Sequence, residues 1–119
     1  MAVVQLLCTG ARDDDLRQIA YAILAGISPN VTDRSGRTPL HYAASEGASA
    51  AIAALLSAHA NLNAVDSGGS TPLNHALYSA LKCNSTEGRH ARLEAAATLE
   101  AAGGQLGALC VHQVPEGNR

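Results

Sequence analysis

Between Asp33 and Asn63 the apolar positions fall into two short helical stripes separated by a glycine. Leu40, Ala43 and Ala44 recur at the spacing of one helix face, Gly47 interrupts them, and Ile52, Leu55 and Leu56 then mark a second face. What precedes the first stripe predicts where that helix begins. Thr38 offers a hydroxyl to cap it, and Pro39 occupies the first helical position, where the missing amide hydrogen costs nothing. Upstream, Asp33-Arg34-Ser35-Gly36 is a turn-prone polar run, with Gly36 placed to adopt a positive backbone angle. The residues from His59 to Asn63 lead out of the second helix toward another such run. The order is therefore hairpin tip, helix, turn, helix.

The same order recurs. Asp33, Gly36, Thr38, Pro39, Leu40 and Ala43 are matched in turn by Asp66, Gly69, Thr71, Pro72, Leu73 and Ala76, and every pair keeps the same offset. Carried backwards, that offset pairs Leu40 with Leu7, Ile52 with Ile19, Leu56 with Ile23, Ala58 with Ala25 and Asn63 with Asn30. The N-terminal third is thus a first copy without its hairpin. In the third copy Leu99 aligns with Leu55 only at an offset of 44, so 11 extra residues lie between Leu77 and Leu93. Apolar spacing at Ala80 and Leu81, and again at Leu93, Ala96 and Ala97, predicts that both helices are lengthened. The polar segment Lys82–His90 is expected to form an exposed loop at the end opposite the hairpin tips. After Leu109 no fourth Thr-Pro-Leu follows, and Glu94, Ala95 and Thr98 are the candidates for the outer face of a terminal copy.

A fixed period of about 33 residues around a Thr-Pro-Leu-His core is the sequence signature of stacked repeats. Asp33 to Asp66 resembles the ankyrin-repeat consensus along nearly its whole length. The resemblance implies an all-α ankyrin-repeat solenoid of stacked helix-turn-helix units with β-hairpin or loop tips. It implies one domain over residues 1–110: a capping repeat over about 1–32, a full repeat over 33–65, and a C-terminal repeat over 66–109 carrying the 11-residue insertion. Residues 110–119 would be a tail. In this family the histidine of the motif bridges the threonine hydroxyl and the backbone of the next repeat. Asn74 stands at that position in the third copy, which puts the bridge there in question.

Composition agrees with helices packed closely. There is no Phe or Trp, with three Tyr and one Met, so the apolar fraction of 47% rests on Ala, Leu, Ile and Val, and Ala is the strongest helix former. A formal charge of −2 with scattered basic residues argues against nucleic acid as a partner. The apolar start of the chain has no preceding Lys or Arg and is too short to span a bilayer, which argues against a signal peptide and membrane insertion. Cys8, Cys83 and Cys110 are an odd, widely spaced set, as expected of reduced thiols in cytoplasm or nucleus. The sequons at Asn30 and Asn84 are then chance matches.

Chemistry-bearing constellations are sparse. Cys110 and His112 lack a second pair at zinc-ligand spacing, and no nucleophile elbow, His-Glu-x-x-His or phosphate loop occurs; Asp66–Ser70 has glycines but no terminal Lys. Asp13, Asp14 and Asp15 lack the alternation of a calcium loop and suit the positive start of the helix near Leu16. No catalytic residue, cofactor or metal site is therefore expected. The resemblance implies instead a protein-binding groove lined by hairpin tips and first helices: Arg34, Ser35, Arg37, Tyr42, Ser45 and Glu46 from the second copy, and Ser67, Ser70, Tyr78 and Ser79 from the third. Tyr and Arg carry binding energy most often; Tyr42 has partial burial between helices as its alternative role. The resemblance also marks Asn63 as a position where related proteins are hydroxylated by an asparaginyl hydroxylase. The expectation is a non-catalytic adaptor or regulatory binder, monomeric or weakly self-associating, or alternatively a structural unit from a longer array.

Overall fold

A computed structural model describes residues 2–105 and contains six helices: α1 (Ala2–Arg12), α2 (Leu16–Leu24), α3 (Pro39–Glu46), α4 (Ser49–Ser57), α5 (Pro72–Lys82) and α6 (Thr86–Ala101). No strand occurs among the described residues. The repeat register is kept to the residue: α2 and α4 begin and end at equivalent positions, as do the starts of α3 and α5. The first helices α1, α3 and α5 pack side by side, with α2, α4 and α6 behind them.

The core is one set of positions used three times. Leu7, Leu40 and Leu73 form one column, Ile19, Ile52 and Ala96 a second, and Ala22, Leu55 and Leu99 a third, all at most 5% exposed. Burying one Leu or Ile side chain contributes about 1.5–3 kcal/mol, against about 0.5–1.5 kcal/mol for a typical hydrogen bond. The columns therefore supply most of the cohesion and the tips mainly set register. Small residues let the paired helices of a layer approach: a Cβ added to Gly10 on α1 would lie 3.2 Å from Gln18 and Ile19 on α2.

Backbone turns repeat as strictly as the helices. Left-handed residues fall in equivalent positions: Asp14 and Gly47 in the turn between paired helices, Gly26, His59 and Gly103 after each second helix, and Gly36 and Gly69 at the tips. Asp14 does more than tolerate that conformation. While Asp15 caps its own helix through the Gln18 amide at 3.3 Å, the Asp14 carboxylate accepts from the Ala51 amide at 2.8 Å. It thereby caps α4 of the neighbouring layer, whose own N-cap, Ala48, has no side-chain acceptor.

The third layer corrects part of the sequence reading. The 11 extra residues expected there are divided between elements: α5 runs three residues further than α3, the turn is one residue longer, and α6 starts seven residues earlier relative to its end. The exposed loop expected over Lys82–His90 is thus only Cys83–Ser85. Ser85 accepts the Gly88 amide at 2.8 Å and opens a helix with Glu87 in its first turn. Nor does the extension simply project. Arg92 on α6 donates through Nε to the Ser45 carbonyl at 2.9 Å and pairs with Glu46 at 3.6 Å, so the long helix leans back on the second layer. Ala95 is fully buried and turns inward; Glu94 and Thr98 remain on the outer side. The expected tail over residues 110–119 and Cys110 lie outside the described residues.

Candidate interaction face

Each tip is organised by an aspartate. Asp33 Oδ1 accepts the amides of Ser35 and Arg37 at 2.9 and 3.0 Å, and Asp66 Oδ1 accepts those of Gly68 and Ser70 at the same distances. The second oxygen binds a first-helix side chain further along the same repeat: the Tyr42 hydroxyl donates to Asp33 Oδ2, and His75 Nε2 lies 2.9 Å from Asp66 Oδ2. Burial alone would raise both carboxyls, but these bonds outweigh it. Asp33 is held below the usual carboxylate range by Tyr42, the Arg37 and Ser35 amides and the Arg37 charge, and Asp66 by His75 and the Ser70 and Gly68 amides.

Neighbouring tips are tied together. Ser67 donates its amide and its hydroxyl to the Ser35 carbonyl, both at 2.9 Å. Behind them, His41 Nδ1 accepts the Thr38 amide at 3.0 Å while Nε2 donates to the Ser70 carbonyl at 2.8 Å, which fixes the tautomer. Burial pushes this imidazole below its ordinary value, and the Ser70 bond only partly opposes that. In the third layer Asn74 accepts the Thr71 amide at 2.9 Å, as His41 accepts that of Thr38. The Thr71 hydroxyl donates to the Gln105 carbonyl at 2.7 Å. Second-helix loops are joined in the same manner, Asn30 Oδ1 accepting from the Asn61 amide and Asn63 Oδ1 from the Gln105 amide, each at 2.7 Å.

His41, Asp66 and His75 bring ligand-type atoms within 4.8 Å of one another, with the two imidazoles edge to face at 4.9 Å. His41 Nε2 is bonded to the Ser70 carbonyl, and His75 Nε2 and Asp66 Oδ2 are bonded to each other. A cation would have to take His41 Nε2 from Ser70 and would sit beside Arg37, whose Nε is 3.8 Å from Asp66 Oδ2. The three side chains join the second tip to the first helices of two layers.

The open surface lies in front of α5. A groove of about 630 Å³ runs from the two tips along α5, bounded by Arg37, His75, Leu77, Tyr78 and Leu81. Tyr78 is 62% exposed and Leu81 81%. Lys82 Nζ stands 5.4 Å from the centre of the Tyr78 ring.

A profile of ankyrin repeats in three copies matches residues 4–87. The chain belongs to the ankyrin-repeat family. Among characterised proteins it is similar to potassium channels of plants: 44% identical over 71 residues to SKOR of Arabidopsis thaliana, 37% over 68 residues to KOR2 of Oryza sativa subsp. japonica, and 46% over 55 residues to AKT1 of Arabidopsis thaliana. These alignments cover 60%, 57% and 45% of this chain but only 9%, 10% and 6% of the channels. Among the described residues no helix is long and apolar enough to cross a membrane.

The ankyrin stack divides the sequence-derived positions into two groups. Arg34, Ser35 and Ser67 are exposed at the tips, and Arg37 and Tyr78 open onto the groove. The rest make polar contacts within the stack, although Ser70 also lines the groove and Glu46 is exposed. Tyr42 is half-buried, its hydroxyl held by Asp33 and its ring 5.9 Å from the Arg12 guanidinium. The Ser70 carbonyl is taken by His41, Ser45 and Ser79 share a hydrogen bond at 2.9 Å, and Glu46 pairs with Arg92. Asn63 is exposed, but its side-chain amide donates to the Gly103 carbonyl and accepts from the Gln105 amide of the following loop. Sequence reading missed Leu77, Leu81, Lys82 and His75; the last was signalled by its place one repeat after Tyr42. The two described thiols differ. Burial first, then the Asp33 charge, pushes Cys8 up to about 11. Half-exposed Cys83 is lowered by hydrogen bonding to the Ser85 backbone and hydroxyl and by Arg92 and Arg89.

Proposed function

We propose that this ankyrin-repeat chain is a non-catalytic protein-binding module, an adaptor or regulatory binder, that engages another protein through its tips and the groove along α5. The observation that carries this reading is Tyr78, a large side chain 62% exposed in a concave surface, while the columns that hold the stack lie behind it. Arg34, Ser35, Arg37, Ser67 and Tyr78 are the direct contacts. Tyr42, Ser45, Glu46, Ser70 and Ser79 shape the face and contribute their remaining accessible surface. The partner is a protein and not nucleic acid or a bilayer, in cytoplasm or nucleus. Asn63 is the position proposed for hydroxylation.

Affinity capture from the source cell with wild-type protein and with Tyr78→Ala and Arg34→Ala tests the proposal. A partner retained by wild type should be lost or weakened with the variants while their urea unfolding curves superpose on the wild-type curve. Loss of binding only together with folding would move these residues into the structural set and refute the assignment.

A second reading, a segment of a longer array or a self-associating unit, is favoured by one feature. Ala44 is fully buried against the next layer, whereas Leu77, one repeat later, is only partly covered and the lengthened α5 adds Leu81 beyond it. The small share of the potassium channels that the chain matches is compatible with this. Sedimentation at several concentrations separates self-association from a monomer.

A further inference from the structure

Few of the chain's acids stand at the groove. Asp13, Asp14 and Asp15 lie on the turn between α1 and α2, and Glu87, Glu94 and Glu100 lie on α6. Glu46 is paired with Arg92, and Asp33, at the first tip, has its oxygens taken by the Ser35 and Arg37 amides and the Tyr42 hydroxyl. Among the described residues Asp66 is the one acid that bounds the groove, and its side chain is only 8% exposed, with both oxygens occupied by the Gly68 and Ser70 amides and His75. Of the basic residues Arg37 lines the groove, Arg34 is exposed at the tip next to Ser35, and Lys82 stands beside the Tyr78 ring.

Arg37 is the one of these with a buried nitrogen that lacks an acceptor. Its Nε is buried without a hydrogen-bond acceptor, 3.8 Å from a carboxylate oxygen already taken by His75, while the side chain remains 43% exposed toward the groove. The exposed part of this guanidinium is free to meet an acceptor brought by a partner, and charge-assisted bonds to a carboxylate are the stronger kind. Beside it, Leu77, Tyr78 and Leu81 form an apolar strip at helical spacing. We propose that the groove takes an acidic, partly apolar segment of a partner protein, with an Asp or Glu carboxylate on Arg37 and an apolar side chain on Tyr78 and Leu81. This rests on the protein-binding reading and adds the chemistry of what is bound. Arg34 and Lys82 would steer the same segment through longer-range attraction.

The test uses a displayed library of random 12-residue peptides selected on the full chain, followed by fluorescence anisotropy of the enriched peptides. The expected result is enrichment of Asp or Glu together with Leu, Ile, Phe or Tyr. Binding should weaken about tenfold in Arg37→Gln, the equivalent of one lost charge-assisted bond, and several-fold as salt is raised from 50 to 500 mM. If Arg37→Gln disturbs folding, Arg34→Gln and the salt series carry the same reading. Peptides that depend on Tyr78 but are basic or neutral, or insensitive to Arg37 and to salt, would overturn the acidic assignment and leave the binding groove intact. Enriched peptides indifferent to both Tyr78 and Arg37 would overturn both.

Discussion

The contact of α6 with Gly47 allows the brace between the second and third layers to be measured. Gly47 has a φ of 69°, and a Cβ there would lie 3.0 Å from the backbone of Ala91 and Arg92 on α6. Gly26 has a φ of 91° and nothing within 4 Å of the corresponding point. Replacing Gly26 by Ala adds left-handed strain of about 1–2 kcal/mol, offset by about 0.4–1 kcal/mol from the stiffer unfolded chain, a net cost near 1 kcal/mol. Gly47→Ala carries a similar backbone cost plus about 1–3 kcal/mol for pressing a methyl against backbone that cannot rotate away. Because a φ of 91° lies further from the left-handed minimum than 69° does, the difference between the two variants understates the contact. Urea unfolding followed by circular dichroism should place Gly47→Ala about 2 kcal/mol below Gly26→Ala, with equal m-values. Equal stabilities for the two variants would show that α6 does not press on the second layer, and the account of the insertion would fall.

Two further outcomes follow from the turns and tips. His59 sits at φ 70° where the other two layers have Gly26 and Gly103, so His59→Gly should raise stability by about 0.5–1 kcal/mol, strain relief exceeding the added chain entropy; a destabilised variant in thermal melts would show that the imidazole makes a compensating contact. The carboxyls of Asp33 and Asp66 are lowered in the fold, so their contribution is full above the unfolded value near 4 and is lost as pH falls through and below it. The urea midpoint of wild type should therefore drop steeply below about pH 4 and that of Asp33→Asn/Asp66→Asn much less; parallel drops would place the acid sensitivity elsewhere.

Much of the stack was legible because its signals are local. Thr38-Pro39 and Thr71-Pro72 state helix starts within a few residues, and both starts stand where the cap chemistry puts them. Residues 86–90 misled because their polarity and Gly88 imitate a loop. Gly88 is instead a close-packed helical residue, where a Cβ would fall 2.6 Å from the Cys83 sulfur. The lean of Arg92 on Ser45, far back along the chain, has no signature in spacing. The candidate face divided for a similar reason. Exposure of Arg34 and Tyr78 follows from their register, whereas Ser45 with Ser79, and Tyr42 with Asp33, meet through contacts between and within layers that only coordinates reveal.

The Asp14 carboxylate on the Ala51 amide makes the first layer a supplier to the second. Removing the opening residues would strip a terminal amide of α4 as well as uncover apolar surface, so damage at that edge would propagate inward. A shortened variant would then melt as a weaker whole, and the fewest layers able to persist in isolation would be set as much by such borrowed caps as by the width of the core.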